Sequence, residues 1–184
     1  LPVDYNGIIK AGFNLGNTSS EYYLEDKFRK NDTAETTQFN YLTPYLSYDR
    51  NTLNYRQYPS KGSRFKIVAS YLTGKEKYTP GSSNYLPEKQ SNVHRWLNLH
   101  LEYENYLDLT HHFKLGMTFE GNYSNRDFFT NYYATTLHSS FYNPLPRSKT
   151  LYLPNYIGNH YIAGGLTPVL EFNEKFQLRA SGHI

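Results

Sequence analysis

The sequence has no cysteine, a single methionine and no long apolar run among its 184 residues. The lack of cysteine excludes a disulfide framework and a cysteine-based metal site. A transmembrane helix needs roughly 18 consecutive apolar residues, and no stretch of that length occurs. The first residues also lack the basic start and apolar core of a signal peptide. The sequence therefore offers neither a helical membrane anchor nor a cysteine-stabilised small domain.

A strong charge of one sign is also missing. The formal net charge of +3 is small and dispersed, which argues against nucleic acid as a partner. Aromatic residues, in contrast, make up 17% of the chain, with 20 Tyr and 11 Phe, although the mean hydropathy is only −0.73. Disordered chains are poor in aromatics. Strands that turn only every second residue toward lipid would combine a low mean hydropathy with many aromatics.

The strongest pattern in the sequence is a predicted hairpin within Val93–Tyr123. Apolar and polar residues alternate strictly in both arms, which predicts two strands with one apolar and one polar face each. Each arm exceeds the roughly 9–11 residues that a tilted strand needs to cross a bilayer. We therefore predict a transmembrane hairpin, whose apolar face carries Leu97, Leu99, Leu101 and Tyr103 in the first arm and Phe113, Leu115, Met117 and Phe119 in the second.

Five further strands are predicted around this hairpin, and their connections alternate between long and short. The strands are Tyr5–Leu15, Thr37–Tyr48, Arg64–Leu72, His160–Phe172 and Phe176–Ala180, and the long loops are expected near 17–36, 73–92 and 124–158. Pro44 has no N–H for a ladder, so it predicts an edge, a bulge or a local distortion. Long outer loops and short periplasmic turns are typical of outer-membrane barrels.

The predicted strand number favours a part of a larger barrel. Seven strands is an odd number, whereas bacterial single-chain barrels normally have an even one. An open sheet in lipid would leave the backbone groups of its edges unpaired. We therefore expect an all-β fold, an antiparallel transmembrane β-barrel segment within residues 1–184, with further strands elsewhere in the protein and residue 1 not at the natural start.

Two stretches resemble known barrel families. The residues Tyr58-Pro59-Ser60-Lys61-Gly62-Ser63-Arg64-Phe65 resemble a turn-and-strand signature of the BamA-type bacterial surface-antigen barrels. Ser148–Pro154 and Asn159–Leu166 resemble the barrel that follows the patatin-like phospholipase domain in proteins of the Bacteroidetes. The resemblance implies a barrel of about 16 strands in the bacterial outer membrane and a periplasmic domain upstream. The "R-G-(F/Y)" loop motif of these families is absent from the sequence.

Three alternative functions are compatible with this reading. In the first, the barrel anchors an upstream periplasmic domain, or translocates or assembles proteins for it, with outer-membrane lipid as its partner. In the second, it is the barrel of a patatin-type phospholipase whose catalytic domain lies outside these residues. In the third, it is a small pore or adhesin. A soluble β-sandwich would also show alternation, but it does not readily explain strands of eleven or more residues with alternating long and short connections.

No catalytic, cofactor-binding or metal site is predicted within these residues. No Gly-x-Ser-x-Gly elbow occurs, so the nucleophile of the patatin-type family is not in this sequence. His111 and His112 are adjacent, and neighbours in a strand point to opposite faces, although a turn would relax this. We interpret them as turn histidines and not as metal ligands.

The remaining predictions concern three groups of side chains. The polar face of the hairpin should point into a hydrated lumen, or line a selective pore, through Asn98, His100, Glu102, Lys114, Thr118 and Glu120. A turn at the periplasmic rim should hold Pro59, Lys61, Gly62 and Arg64. Aromatic belts at the two interfaces, or a sugar-binding surface, should contain Tyr22, Tyr23, Tyr41, Tyr45, Tyr48, Tyr132, Tyr133, Tyr152 and Tyr156.

Overall fold

The computed structural model describes residues 2–4, 6–23, 31–82, 88–142, 157–173 and 176–184. The described residues form one antiparallel sheet of nine strands, which confirms the all-β fold. In chain order the elements are β1 Pro2–Asp4, β2 Gly7–Tyr22, β3 Glu35–Asn51, β4 Gly62–Thr79, β5 Gln90–Asp108, β6 Phe113–Ser124, α1 Tyr132–Leu137, β7 His160–Asn173, β8 Phe176–Arg179 and β9 Gly182–His183.

From β1 to β8, each strand pairs with the next one along the chain. The order across the sheet is β1 to β8 without a crossover, and β9 pairs with β7. The predicted central hairpin is confirmed, since β5 and β6 pair from Asn98 opposite Ser124 to Asp108 opposite Lys114. We call the end of the sheet that carries the β3–β4 and β5–β6 connections its lower end. The upper end carries the β2–β3, β4–β5 and β6–β7 connections.

The strands extend further upward than the sequence predicts. Residues 17–22 continue β2 and residues 73–79 continue β4, although both stretches are predicted to lie in loops. Strand β5 begins at Gln90, so residues 90–92 of the predicted loop near 73–92 also belong to a strand. The reason is that the alternation fades there: outward residues such as Asn17 and Lys75 are polar, so neither face is apolar. The ladder to neighbouring strands nevertheless continues through these residues.

The predicted loop at 124–158 contains one helical turn. Helix α1 begins after Asn131, whose side chain accepts a hydrogen bond from the backbone N–H of Tyr133 in the manner of an N-cap. Phe141 and Ile157 form an isolated antiparallel bridge. Residues 143–156, which include the predicted aromatic residues Tyr152 and Tyr156, lie outside the described residues. Among the described residues, no helix is long and apolar enough to cross a membrane.

The apolar face of the sheet is the exposed one, which is the reverse of the usual arrangement in a sheet with one face in water. On one face, the outer face, large apolar side chains are exposed, including Leu15 at 74% and Ile162 at 80%. The other, the inner face, carries charged and polar residues such as Lys66 and Glu102, which are less exposed than Ile67 and Tyr103 on the outer face. A sheet with one solvated face normally buries its apolar side and exposes its polar side.

The sheet curls so that its inner face lies inside the bend. Arg179 of β8 places its guanidinium carbon 5.7 Å from the ring centre of Tyr58, which lies between β3 and β4. Its Nη2 also donates a hydrogen bond to the carbonyl oxygen of Pro59. Four strands separate these elements in the sheet order. Within the described residues, β1 at one edge does not pair with β8 or β9 at the other.

Small residues on the inner face make room for aromatic rings from the next strand. Gly12 and Gly16 of β2 lie opposite Tyr45 and Tyr41 of β3, and a Cβ at either glycine would collide with the facing ring. Aromatic rings that cover glycines across a strand pair are a known device for stabilising curved sheets. Tyr41 and Tyr45 therefore lie on the inner face, which corrects their predicted place in an aromatic belt.

Pro44 is a local interruption of the sheet, as predicted. It lies in β3 between two neighbouring strands, opposite Phe13 of β2. On the β4 side, the ladder stops after Leu42 opposite Thr73 and resumes at Tyr45 opposite Ser70 in the same register. Proline has no N–H to donate to a ladder, so its presence in an interior strand leaves this gap in the β3–β4 hydrogen bonds.

Candidate functional site

The polar residues predicted from the hairpin share the inner face. Asn98, His100 and Glu102 of β5 lie opposite Ser124, Asn122 and Glu120 of β6. Lys114 and Thr118 have the same phase in β6 as Glu120, since strand residues two apart point to the same side. The sequence pattern therefore brings all six side chains, Asn98, His100, Glu102, Lys114, Thr118 and Glu120, to one surface.

Glu102 is the centre of a charged network on this face. Its carboxylate accepts a hydrogen bond from Lys66 Nζ at 2.8 Å and lies 3.1 Å from His100 Nε2. Arg64 Nη1 lies 3.4 Å from the second oxygen, while Arg64 Nη2 lies 3.2 Å from Asp49. The side chains are about one third exposed, so water reaches the network and weakens each pair. Arg64 thus joins this network from the beginning of β4, where a strand from Arg64 is predicted.

Two further pairs continue the polar surface across β6 and β7. Lys114 Nζ lies 2.7 Å from Glu171 of β7 and 3.8 Å from Asp108 of β5. The hydroxyl of Tyr161 donates to Glu120 at 2.6 Å. Cations and carboxylates are mixed on this face, although Glu102 of β5 lies directly opposite Glu120 of β6. Among the described residues, the polar surface therefore carries charges of both signs and not the single-sign ring of charge that selective pores use.

The predicted turn motif closes the lower end of the inner face. Asn54 Oδ1 accepts hydrogen bonds from the backbone N–H groups of Ser60 and Lys61, at 3.0 and 3.1 Å. Gly62 has a φ of +94°, and a Cβ there would collide with the carbonyl of Thr52. Only glycine adopts this conformation readily. The motif residues Pro59, Lys61 and Gly62 therefore shape a connection that folds inward toward β8.

The upper end of the inner face is covered by residues 125–142, which we call the cap. The backbone N–H of Thr130 donates to Glu76 Oε1 at 3.0 Å, and Glu76 Oε2 lies 2.7 Å from His94 Nε2. Asn131 donates through Nδ2 to Glu35 Oε2, also at 3.0 Å. Glu35 and Glu76 are almost completely buried. Buried carboxylates need such partners, so the cap and the strands complete one another.

An aromatic cluster holds the cap against the sheet. Phe129 of the cap meets Phe39 of β3 edge to face at a centroid distance of 4.9 Å, and it lies 6.2 Å from Trp96 of β5. His138 stacks on Phe129 at 5.1 Å. This cluster is not among the sequence predictions. The sequence does contain a sign of this cluster. Phe39 and Trp96 lie at positions of their strands that point to the inner face, where the predicted lumen should have polar residues.

A cavity of about 230 Å³ lies between the cap and the inner face. Arg126 of the cap lines it, with its guanidinium carbon 5.9 Å from the ring centre of Trp96. Burial lowers the pKa of Arg126 to about 10, so the group is still charged at neutral pH. Burial, reinforced by the charge of Arg126, also lowers the pKa of His138, while Glu76 opposes this shift. The cap therefore carries a cation and a neutral histidine side by side.

The paired histidines lie in the turn between β5 and β6. The rings of His111 and His112 are 4.8 Å apart between centroids, since the turn brings adjacent side chains closer than a strand would. His112 Nδ1 lies 3.0 Å from the carbonyl oxygen of Glu171. In the described part of the chain, no group of three His, Cys, Asp or Glu side chains converges as metal ligands would.

Comparisons with family models, with curated proteins and with solved structures found no match. The resemblance of the 58–65 stretch to surface-antigen barrels and that of the 148–166 region to patatin-associated barrels therefore stay predictions. The distinguishing features of this sheet are the polar inner face, the apolar outer face, and the cap and turn that cover the two ends of the inner face.

Proposed function

We propose that these residues form part of a β-barrel in the bacterial outer membrane and that this barrel anchors another domain of the same protein. The observation that carries the proposal is the distribution of side chains on the two faces. Exposed leucine, isoleucine and phenylalanine side chains cover the outer face, while ion pairs and amides occupy the inner one. Lipid on one side and water on the other would suit both faces.

The extent of the apolar band agrees with this assignment. On β4 the outward residues Phe65, Ile67, Ala69 and Tyr71 are apolar or aromatic, and above them Thr73, Lys75 and Lys77 are polar. Barrel strands present an apolar band about 25 Å tall, and polar strand ends can project beyond it. The upper end of the sheet, which carries the long β6–β7 connection, would then lie outside the cell. The lower end, with the 109–112 turn, would face the periplasm.

The sheet edges require further strands in this setting. Unpaired backbone groups at an edge cost several kcal/mol each in hydrocarbon, so a membrane sheet must close. Strands from elsewhere in the protein, or from a partner copy, would pair with β1–β2 and with β8–β9. The covered ends of the inner face favour an anchoring role over an open pore, because the cap lies across the upper end and the 52–61 connection across the lower.

The test is to locate the full-length gene product, expressed with its native upstream sequence. We expect it in the outer-membrane fraction, as a band that migrates faster on gels before boiling than after. A soluble product with no such shift would contradict the membrane proposal. The upstream sequence then separates the two roles that involve another domain: a Gly-x-Ser-x-Gly elbow favours a hydrolase anchored by the barrel, and repeated small α/β domains favour protein assembly or translocation.

A further inference from the structure

The cavity under the cap has the composition of a small-molecule site. Tyr41, Ser70 and Asn98 line it from the sheet, and Arg126 and Ser140 line it from the cap. Binding sites combine aromatic walls with a few convergent polar groups that fix a ligand. The volume of about 230 Å³ would hold a molecule of monosaccharide size. The site is separate from the apolar outer face on which the membrane proposal depends.

Arg126 is the unusual group in this cavity. Arg126 is only 7% exposed, yet its guanidinium forms no ion pair with any carboxylate of the described residues. Its two hydrogen bonds both come from Nη2, to the carbonyl of Thr135 at 2.9 Å and to Ser139 Oγ at 2.5 Å. The buried Nε has no acceptor within the described part of the chain. A buried cation without a counter-charge is costly, and an anion would relieve that cost.

We propose that this cavity binds a small hydroxylated organic anion, whose carboxylate or phosphate oxygens accept hydrogen bonds from Arg126. A guanidinium that uses only Nη2 keeps donors free, and its planar fork suits an oxyanion. Ser70, Asn98 and the unpartnered hydroxyl of Thr43 would bond the neutral hydroxyls of the ligand. Sugar acids and sugar phosphates share this chemistry. The proposal does not require that the barrel anchors another domain.

Calorimetric titration of the purified full-length protein tests the proposal, with glucuronate, glucose 6-phosphate and glucose as probes. We expect one or both anions to bind, and glucose to bind at least about 10-fold more weakly, because it lacks the negative charge that pairs with the guanidinium. Binding of only one anion would identify carboxylate or phosphate as the preferred head group. No heat from either anion up to about 10 mM, or equal binding of glucose, would overturn the proposal.

Variants then assign the binding to Arg126. Arg126→Gln should weaken anion binding at least about 10-fold, since an amide keeps a donor but loses the charge. Arg95→Gln, at an exposed position on the outer face of β5, is the matched control and should bind as the unmodified protein does. Anion binding that survives Arg126→Gln unchanged would contradict the assignment.

A second variant keeps the test decisive if Arg126→Gln does not fold. Ser70→Leu fills the cavity from the sheet side and leaves the cap sequence intact. It should abolish anion binding while the protein keeps the β-sheet circular dichroism spectrum of the unmodified protein. Retained binding in folded Ser70→Leu would place the anion elsewhere and overturn the proposal.

Discussion

Individual glycines on the inner face leave the space that aromatic rings of the neighbouring strand occupy. Gly16 lies opposite Tyr41, whose ring is stacked on Phe39 at a centroid distance of 5.4 Å. Phe39 in turn belongs to the cluster that holds the cap. The lack of a Cβ at Gly16 therefore makes room for the Tyr41 ring, and that ring supports Phe39. Through these two rings Gly16 affects the docking of the cap, which lies more than 100 residues away in the sequence.

We predict that Gly16→Ala destabilises the protein by about 1–3 kcal/mol, because the new Cβ displaces the Tyr41 ring and disturbs its stack on Phe39. The free energy of unfolding in urea measures this. Gly121→Ala is the matched control, since the nearest atom to its Cβ would be Phe119 Cε1 at 3.8 Å, an ordinary contact. Equal stability of the two variants would contradict the role given to Gly16.

At the scale of elements, the cap is attached to the strands by polar groups as well as by aromatic rings. Its contacts with the strands include hydrogen bonds to two buried carboxylates, Glu35 and Glu76, and an aromatic cluster. His138 lies between Phe129, Phe39 and the Thr18 hydroxyl, the last 3.4 Å from its Nε2. Docking therefore favours the neutral imidazole.

We predict that the cap docks less tightly in mild acid. The docked cap lowers the pKa of His138 because of burial and the nearby charge of Arg126. The undocked histidine takes up a proton near its ordinary pKa of about 6.5. Docking is therefore strongest above about pH 6.5 and weakens as the pH falls below it, until the docked form also binds the proton.

Hydrogen exchange of residues 125–142 at about pH 7.5 and 5.5, corrected for intrinsic rates, measures this change. In His138→Gln the part of the pH dependence due to this group should disappear. His112→Gln, at an exposed turn position, should keep the full dependence. The same pH response in His138→Gln and in the unmodified protein would contradict the role given to His138.

At the scale of the whole molecule, the curled sheet has an apolar outer face and a polar inner face, which under our proposal contact lipid and water. Leu46 lies near the middle of the outer band of β3 and is 56% exposed, and Leu109, in the turn between β5 and β6, is 53% exposed. In water the two leucines would be nearly equivalent. In a membrane only Leu46 would face hydrocarbon.

We predict that Leu46→Arg lowers the stability of the membrane-inserted protein by about 2–4 kcal/mol, the cost of arginine on the lipid face near the bilayer centre. Leu109→Arg should change it little, because the turn would lie in water at the periplasmic side. Folding into lipid vesicles, followed by urea titration, measures both. Indistinguishable stabilities for the two variants would argue that the outer face does not contact lipid.

The sequence by itself determined the strands wherever one face had to be apolar. Alternation located the arms at 93–123 and the apolar faces of β2, β3, β4 and β7, and it also placed Glu102, Lys114 and their neighbours together on the inner face. The upper strand ends escaped prediction because both of their faces are polar, as at Asn17 and Lys75, so no period marks them. Their pairing comes from backbone hydrogen bonds, which carry no sequence signature.

Only the tertiary structure decided how the two ends of the inner face are filled. The contacts of Arg179 with Pro59, of Asn131 with Glu35 and of Phe129 with Phe39 join residues about 90 or more positions apart. A local pattern cannot contain such pairs, because they exist only after the sheet curls and brings its connections over its own inner face. The cavity beside Arg126 arises in the same way, from a cap and a strand surface that the sequence describes separately.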